Sequence, residues 1–311
     1  MKTFFSVLIP AYKKKYLFEA IDSVLSQTYR DFELVIINDC SPEDLTSVVR
    51  RFKDGRVHYY INEQNCGAEH VVENWNKCLN ICSGDWVICM GDDDMLMPNC
   101  LEVYADMIKN NNNVDLLHGR VRQIDNNGKL ISILEERPQL ESSYSHIIGR
   151  LTMRKQYIGD FCFRRSRLIS EGGFYNLPFA WGADDISAFM CCTPNGVANT
   201  NIPVFCYRVS ADTISSSKNT ERKLQALDRE EEWLYDFLRH QNPHTELEIE
   251  ELRILSHSIK TGMNKARYYA LENEMGNSFL RVIYCFQLCK RYKLSKRILL
   301  KLVIRSLIKI M

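Results

Sequence analysis

An α/β fold with a mostly parallel, doubly wound sheet and helices on both faces is predicted for residues 1–215 of this 311-residue chain, with a helical C-terminal region over 216–311. Three observations predict it. Apolar runs alternate with amphipathic stretches over the first 110 residues, as in successive strand–helix units. The runs are short and continuous, as in strands buried on both faces. Three polar clusters, Pro10-Ala11-Tyr12, Asn38-Asp39 and Asp92-Asp93-Asp94, follow such runs, where doubly wound sheets bind ligands beyond the C-terminal ends of their strands.

The elements follow in order. Residues 4–10 (FFSVLIP) form a buried strand ended by proline. Residues 16–29 carry Leu17, Ala20, Ile21, Val24 and Leu25 on one helical stripe. Residues 32–37 (FELVII) form a second strand, 45–52 a helix and 57–61 a third strand. Residues 67–82 read as a helix closed by Gly84, and 86–90 as a fourth strand stopped by the acid triplet. Pro98 suits the first turn of a helix running to about Asn110. Beyond it, 115–118 reads as a strand and 121–133 as a hairpin turning on Asn127-Gly128. Residues 161–164 and 204–209 are further strands, Ala183-Asp184-Asp185 opens a helix, and the chain is helical and charged from about Thr220.

Composition bounds the function. With 45% hydrophobic and 25% charged residues, long disorder and fibrous repeats are excluded. A net charge of +1 argues against nucleic acid as a partner. That balance is partitioned, however. No acidic residue follows Glu274, while nine basic residues lie between Arg281 and Met311, leaving 31 basic against 39 acidic residues in the rest. The twelve cysteines show no CxxC pair and no zinc spacing, so they read as small apolar residues of a cytoplasmic protein. GxGxxG, GxxxxGK[ST], GxSxG and HExxH are all absent, which disfavours dehydrogenases, P-loop NTPases, α/β-hydrolases and zincins.

The acids carry the candidate chemistry. Three adjacent carboxylates repel one another unless a cation or solvent neutralises them, so Asp92-Asp93-Asp94 suits Mn²⁺ or Mg²⁺ shared with substrate phosphates, or else a solvated helix-capping turn. Asp39 is placed to accept from a base or ribose, or to cap the next helix. Tyr12 can stack on a base or pack on the sheet edge. Asp184-Asp185 could supply a general base, or simply match the dipole of the helix it opens. His70 and His118 read as structural or solvated.

Taken together, SVLIPAY, AIDSVLSQTYRDFELVIINDCSPED, the NxGxxxxxxNWN run of 65–76, SGDWVICMGDDDMLMP, FRRSRLISEGGF, WGADD and YRVSADTIS resemble, in order, the family 2 inverting glycosyltransferases of bacterial surface-polysaccharide type. The resemblance covers about residues 4–210. It implies a GT-A fold, Rossmann-like, with a nucleotide-sugar half over about 1–112 and an acceptor half over about 113–215. Pro10, Ala11, Tyr12, Asp39, Asn76 and Asp92 match nucleotide-lining positions. Asp93 and Asp94 match the metal-binding acids, Asp185 the catalytic base, and Asp184 the acid before it. Gly172-Gly173-Phe174 matches a turn near the acceptor. Three positions depart from the pattern: Gly91 replaces the first acid of DxD, Asn38 a commoner Asp, and Ser210 a common His.

The implied reaction moves a sugar from a nucleotide-diphosphate donor to the hydroxyl of a saccharide or lipid-linked saccharide, with inversion and metal assistance, in capsule, O-antigen or exopolysaccharide assembly. Two other readings are a degenerate, membrane-tethered nucleotide-sugar-binding protein and a nucleotidyltransferase; the Tyr12-Lys13-Lys14 turn lacks the glycines the latter needs. In the tail, Arg297, Lys301, Arg305 and Lys309 form one stripe among apolar residues. Segment 294–311 therefore suits the surface of an anionic membrane, on the inner face of the cytoplasmic membrane, or packing on the protein itself or on a second copy in a homodimer.

Overall fold

The computed structural model describes residues 3–210, 219–275, 279–292, 294, 298, 300–302 and 304. The predicted alternation is present: β1 (Phe5–Ala11), α1 (Leu17–Leu25), β2 (Phe32–Asn38), α2 (Thr46–Val49), β3 (Val57–Ile61), α3 (Val71–Ile81), β4 (Trp86–Cys89), a two-residue β5 (Met95–Leu96) and α4 (Cys100–Asn110). Then come β6 (Leu116–Ile124), β7 (Leu130–Ile133), β8 (Leu140–Glu141), α5 (Ser143–Leu151), β9 (Phe161–Arg164), α6 (Arg165–Ser170), α7 (Ala183–Cys192) and β10 (Val197–Arg208). Helices α8 (Thr220–Arg239), α9 (Glu246–Met275) and α10 (Phe279–Arg291) follow.

One sheet runs β3-β2-β1-β4-β9-β6-β10-β5, with β7 beside β6 and β8 beside β10. Strands β3, β2, β1 and β4 are mutually parallel, and β9 enters antiparallel between β4 and β6. Strands of both predicted halves therefore share one sheet. Side chains alternate across it. Val7, Ile9, Leu34 and Ile36 bury against α1, α2 and α4 on one face. Leu8, Val35 and Ile37 bury against α3 and α7 on the other. Burial on both faces is why these strands read as unbroken apolar runs, each such side chain contributing about 1.5–3 kcal/mol.

Three expectations change. The separate strand at 115–118 and the hairpin arm from 121 are one strand, β6, continuing through Gly119 where Tyr104 and Val204 leave no room for a Cβ. The last strand begins at Val197, not Val204, and shifts register around Pro203. Helix α5 was not foreseen, although Ser142 Oγ caps it by accepting from Ser145 N–H at 3.0 Å and Tyr144, Ile147 and Leu151 form its buried stripe. All twelve cysteines are free, and ten are buried as apolar filling.

A further core joins α5 and Phe189 of α7 to α8, α9 and α10. Gly262 lets α9 close on α5, since a Cβ there would lie 2.7 Å from the Leu151 carbonyl oxygen. Of the basic stripe, Arg297, Arg305 and Lys309 lie outside the described residues. Lys301 Nζ lies 5.9 Å from the Tyr268 ring centroid, Ile298 and Leu302 are buried in the C-terminal core, and Leu300 and Ile304 are exposed. Among the described residues no helix is long and apolar enough to cross a membrane.

Candidate active site

Strand register sets the site. Ala11 pairs with Asn38 and Leu8 with Cys89, so β1, β2 and β4 end along one edge of the sheet. Tyr12, Asp39 and the acid triplet consequently border one cavity of about 750 Å³. Pro10, Tyr12, Lys13, Asp39 and Asp92–Asp94 line one side of it, and Arg150, Gln156, Asp184 and Asp185 another. Leu227 and Glu230 of α8, with Met263, Ala266 and Tyr269 of α9, complete it. The boundary drawn at 215 thus divides the chain but not the cavity.

Asp39 is buried, and its Oδ1 accepts from Asn62 Nδ2 at 2.7 Å and from Cys66 N–H at 3.0 Å. Both interactions hold the carboxylate at the end of β2 and leave its edge on the cavity. Tyr12 is 42% exposed, which leaves its ring free to stack.

The three acids of the triplet have different surroundings. Asp92 Oδ2 accepts from Tyr12 N–H at 2.7 Å and Lys13 N–H at 2.6 Å, clamping the turn after β1. Burial nevertheless pushes the Asp92 carboxyl up to about 6. Asp94 is buried, accepts from Arg208 N–H at 2.9 Å, and is raised well above its ordinary range by burial and the Asp93 charge. Asp93 is half-buried, and its carboxylate accepts from its own backbone N–H. Burial raises it, opposed by the positive charges of Lys13 and Arg208. Gly91, the departure from DxD, has a steric cause: a Cβ there would lie 2.9 Å from Asp93 Oδ1 and 3.0 Å from Asp94 Oδ2.

Across the cavity, α7 opens at Gly182, whose φ of +82° is costly for any other residue. Phe179 and Ala180 just before it also lie in the left-handed region, at φ 58° and 53°, and both line the cavity. Asp185 is 1% exposed, and its Oδ1 accepts from Arg150 Nε at 2.7 Å and Gln156 Nε2 at 2.8 Å. One oxygen is thereby fixed, and the residue borders the cavity. Asp184 beside it is pushed up to about 7 by burial and by the Asp185 charge.

These surroundings test the fit of a divalent cation. Among the described residues no three acids, histidines or cysteines converge on one point. Mg²⁺ and Mn²⁺ commonly take one or two carboxylates and complete their shell with phosphate and water. Asp93, lining the cavity with its own backbone N–H as donor to its carboxylate, fits that requirement, whereas one oxygen of Asp94 is engaged by Arg208.

Two residues expected at the nucleotide, Asn76 and Ala11, are not among those lining the cavity. Asn76 donates to the Phe174 carbonyl at 2.9 Å and accepts from Phe174 N–H at 2.8 Å, so its amide ties α3 to the Gly172-Gly173-Phe174 turn. Ala11 is buried under the sheet edge. His70 pairs with Glu73 at 2.9 Å, and His118 is held neutral by burial, 3.7 Å from Asp160.

Sequence reasoning missed Arg208, Arg150, Gln156 and Glu230. Arg208 is fully buried and donates through Nε to the Asp93 carbonyl at 2.8 Å, through Nη1 to the Asp125 carbonyl at 3.1 Å and through Nη2 to Glu19 at 2.7 Å, while stacking 4.0 Å over Tyr16. The legible sign for Glu230 was an acid inside the apolar stripe Leu224, Leu227, Leu234 and Phe237.

A mostly parallel sheet thus carries an acid triplet on one side of the cavity and an acid pair on the other, and comparison with known proteins identifies the class. The chain belongs to glycosyl transferase family 2, whose family model matches residues 6–169. It is 28% identical over 226 residues to the UDP-Glc:alpha-D-GlcNAc-diphosphoundecaprenol beta-1,3-glucosyltransferase WfgD of Escherichia coli, covering 71% of this chain and 83% of that one. In fold it is similar to S. aureus TarS 1-349 in complex with UDP-GlcNAc, with a TM-score of 0.66 at 16% identity over 90% of this chain and 83% of that one. It is also similar to the mannosyltransferase PcManGT from Pyrobaculum calidifontis in complex with GDP-Man and Mn²⁺, with a TM-score of 0.57 at 16% identity over 99% of this chain and 88% of that one. The fold is therefore GT-A, and the protein is a glycosyltransferase.

Proposed function

We propose that the protein moves a sugar from a nucleotide-diphosphate donor to a saccharide or lipid-linked saccharide hydroxyl with inversion, in assembly of a cell-envelope polysaccharide. The observation that carries this reading is the single cavity onto which Tyr12, Asp39 and Asp93 open from one side and Asp184 and Asp185 from the other. Asp39 and Tyr12 hold the nucleoside. Lys13 lies beside the acids where the diphosphate would rest. Asp185, oriented by Arg150 and Gln156, takes the proton of the acceptor hydroxyl. That oxygen bonds to the anomeric carbon as the bond to the diphosphate breaks on the opposite face, through an oxocarbenium-like state. Asp93 would hold a Mn²⁺ or Mg²⁺, which when bound would neutralise charge on the leaving diphosphate.

Residues 1–215 carry the catalytic core in this reading, with α8 and α9 added to the acceptor side. The relative WfgD is named for a diphosphoundecaprenol-linked acceptor, which supports a lipid-linked acceptor and a peripheral place on the inner face of the cytoplasmic membrane. The test is release of nucleoside diphosphate from UDP-, GDP- and dTDP-sugars with Mn²⁺, with and without a crude lipid-linked saccharide fraction. Turnover by the wild type and its loss by at least about 10³-fold in Asp185→Asn, with nucleotide binding retained, is the expected outcome. Unchanged transfer by that variant excludes Asp185 as the base.

A further inference from the structure

Glu230 lies outside the segment that carries the family's pattern, on α8, yet it faces the cavity beside the acid pair. It is 6% exposed. Among the described residues its carboxylate takes no hydrogen bond and no ion pair. Its Oε2 sits so close to Gly182 that a Cβ there would lie 2.7 Å away, which places the carboxylate at the opening of α7, next to Asp184 and Asp185. The cations facing it are already engaged: Arg150 of α5 by Asp185, and Arg267 of α9 by Asp228 and Glu231, each at 2.6 Å.

An unpartnered buried acid is costly to the free protein. Position 230 belongs to a stripe in which Leu224, Leu227 and Leu234 are buried, so a leucine there would suit the fold better than glutamate. The cost is offset once a ligand supplies hydroxyl donors to the carboxylate. Saccharide hydroxyls have that chemistry, and the acceptor position is the part of the cavity that Glu230 faces.

We propose that Glu230 is an acceptor-binding residue: its carboxyl hydrogen-bonds to hydroxyls of a neutral sugar ring held beside Asp184 and Asp185, a position that offers an acidic saccharide no free cation. This rests on the transferase reading above. Arg150 and Arg267 are already paired, so an anionic ring would be buried there without a partner. Burial and the two neighbouring aspartates push the Glu230 carboxyl up to about 8, so near neutral pH it is mostly protonated and can donate to a ring hydroxyl as well as accept from one.

The experiment is saturation-transfer NMR on the full chain with Mn²⁺ and an equimolar mixture of UDP, GDP and dTDP, adding methyl glucoside, methyl galactoside and N-acetylglucosamine as neutral probes and glucuronate and galacturonate as acidic ones. Melting temperatures of the same samples are read in parallel. In the wild type, at least one neutral probe and no acidic probe receives saturation. In Glu230→Leu the neutral signal falls by about fivefold or more, the loss of one hydrogen bond, while the nucleotide signal stays and the melting temperature rises. Glu230→Gln, whose amide also donates and accepts, keeps the neutral signal within about threefold of the wild type. A lower melting temperature for Glu230→Leu with unchanged sugar signals makes the residue structural and overturns the proposal. So does equal saturation of neutral and acidic probes, or none of the neutral ones, in a wild type that binds nucleotide. A wild type that binds no nucleotide overturns the transferase reading itself, and the acceptor assignment with it.

Discussion

The backbone N–H of Arg208, the last residue of β10, donates to Asp94 Oδ1 at 2.9 Å, joining positions 114 residues apart. The guanidinium of the same residue then reaches the Asp93 carbonyl, the β6–β7 turn and Glu19. The acid loop is therefore held from the far end of the sheet, and its geometry depends on a side chain that touches none of the cavity's open space.

Replacing Arg208 by alanine leaves the backbone carbonyls of Asp93, Asp125 and Asn126 without their donor and opens a void beneath Tyr16. Loss of about 3 kcal/mol is expected, visible as a midpoint shift in urea unfolding, and Arg208→Lys recovers less than half because lysine cannot make the forked contacts. A stability within about 0.5 kcal/mol of the wild type would show that the loop holds itself.

Asp184 gives a pH dependence of stability. Its folded carboxyl is raised to about 7 from an ordinary value of 3.8. Between these values the folded state holds a proton that the unfolded state has lost, so stability falls as pH rises from about 4 to 7. Asp184→Asn removes this loss. The variant should melt a few degrees above the wild type at pH 8 and level with it at pH 4; an equal gain at both pH values would assign the effect to something other than ionisation.

Asn76 and Gly173 form one device. Gly173 has φ +92°, and a Cβ there would press on the Asn76 amide. Asn76→Ala and Gly173→Ala should each cost about 1–3 kcal/mol, read by thermal unfolding, with nucleotide affinity measured by calorimetry unchanged at a temperature where both are folded. A selective loss of nucleotide affinity in Asn76→Ala would return that residue to the donor site.

The exposed Leu300 and Ile304 are the described part of the tail available to a lipid surface. Leu300→Glu with Ile304→Glu should lower co-sedimentation with phosphatidylglycerol vesicles by about tenfold and leave unfolding unchanged. Equal sedimentation would remove the membrane from the account of this segment.

The sheet edge carrying Tyr12, Asp39 and the acid triplet was legible because its signals are local. Residues 5–11 and 32–38 are buried on both faces, so apolarity marks them without any knowledge of their neighbours. Proline and the acids at their ends then mark the rim. The division of labour within the triplet was not legible. It depends on which carboxylate meets Tyr12 and Lys13 N–H and which meets Arg208, and those partners are distant in sequence. The ties of Asn76 were hidden for the same reason, its two bonds being to a residue 98 positions away. Strand β6 was cut in two because Gly119 reads as a break; it is a place where Tyr104 approaches the backbone. The resemblance covered the sheet and left α8 and α9 unread, and with them one wall of the cavity.

That wall has a consequence for the order of events in synthesis. Strands β1 to β4, whose ends carry Tyr12, Asp39 and the acid triplet, leave the ribosome well before Leu227, Glu230, Met263 and Ala266 exist as polypeptide. Domains begin folding N-terminus first during translation. A nascent chain ending near residue 215 would carry the strand ends and both sets of acids but not the wall that α8 and α9 supply, so the enclosure of the cavity is the last part of the protein to form.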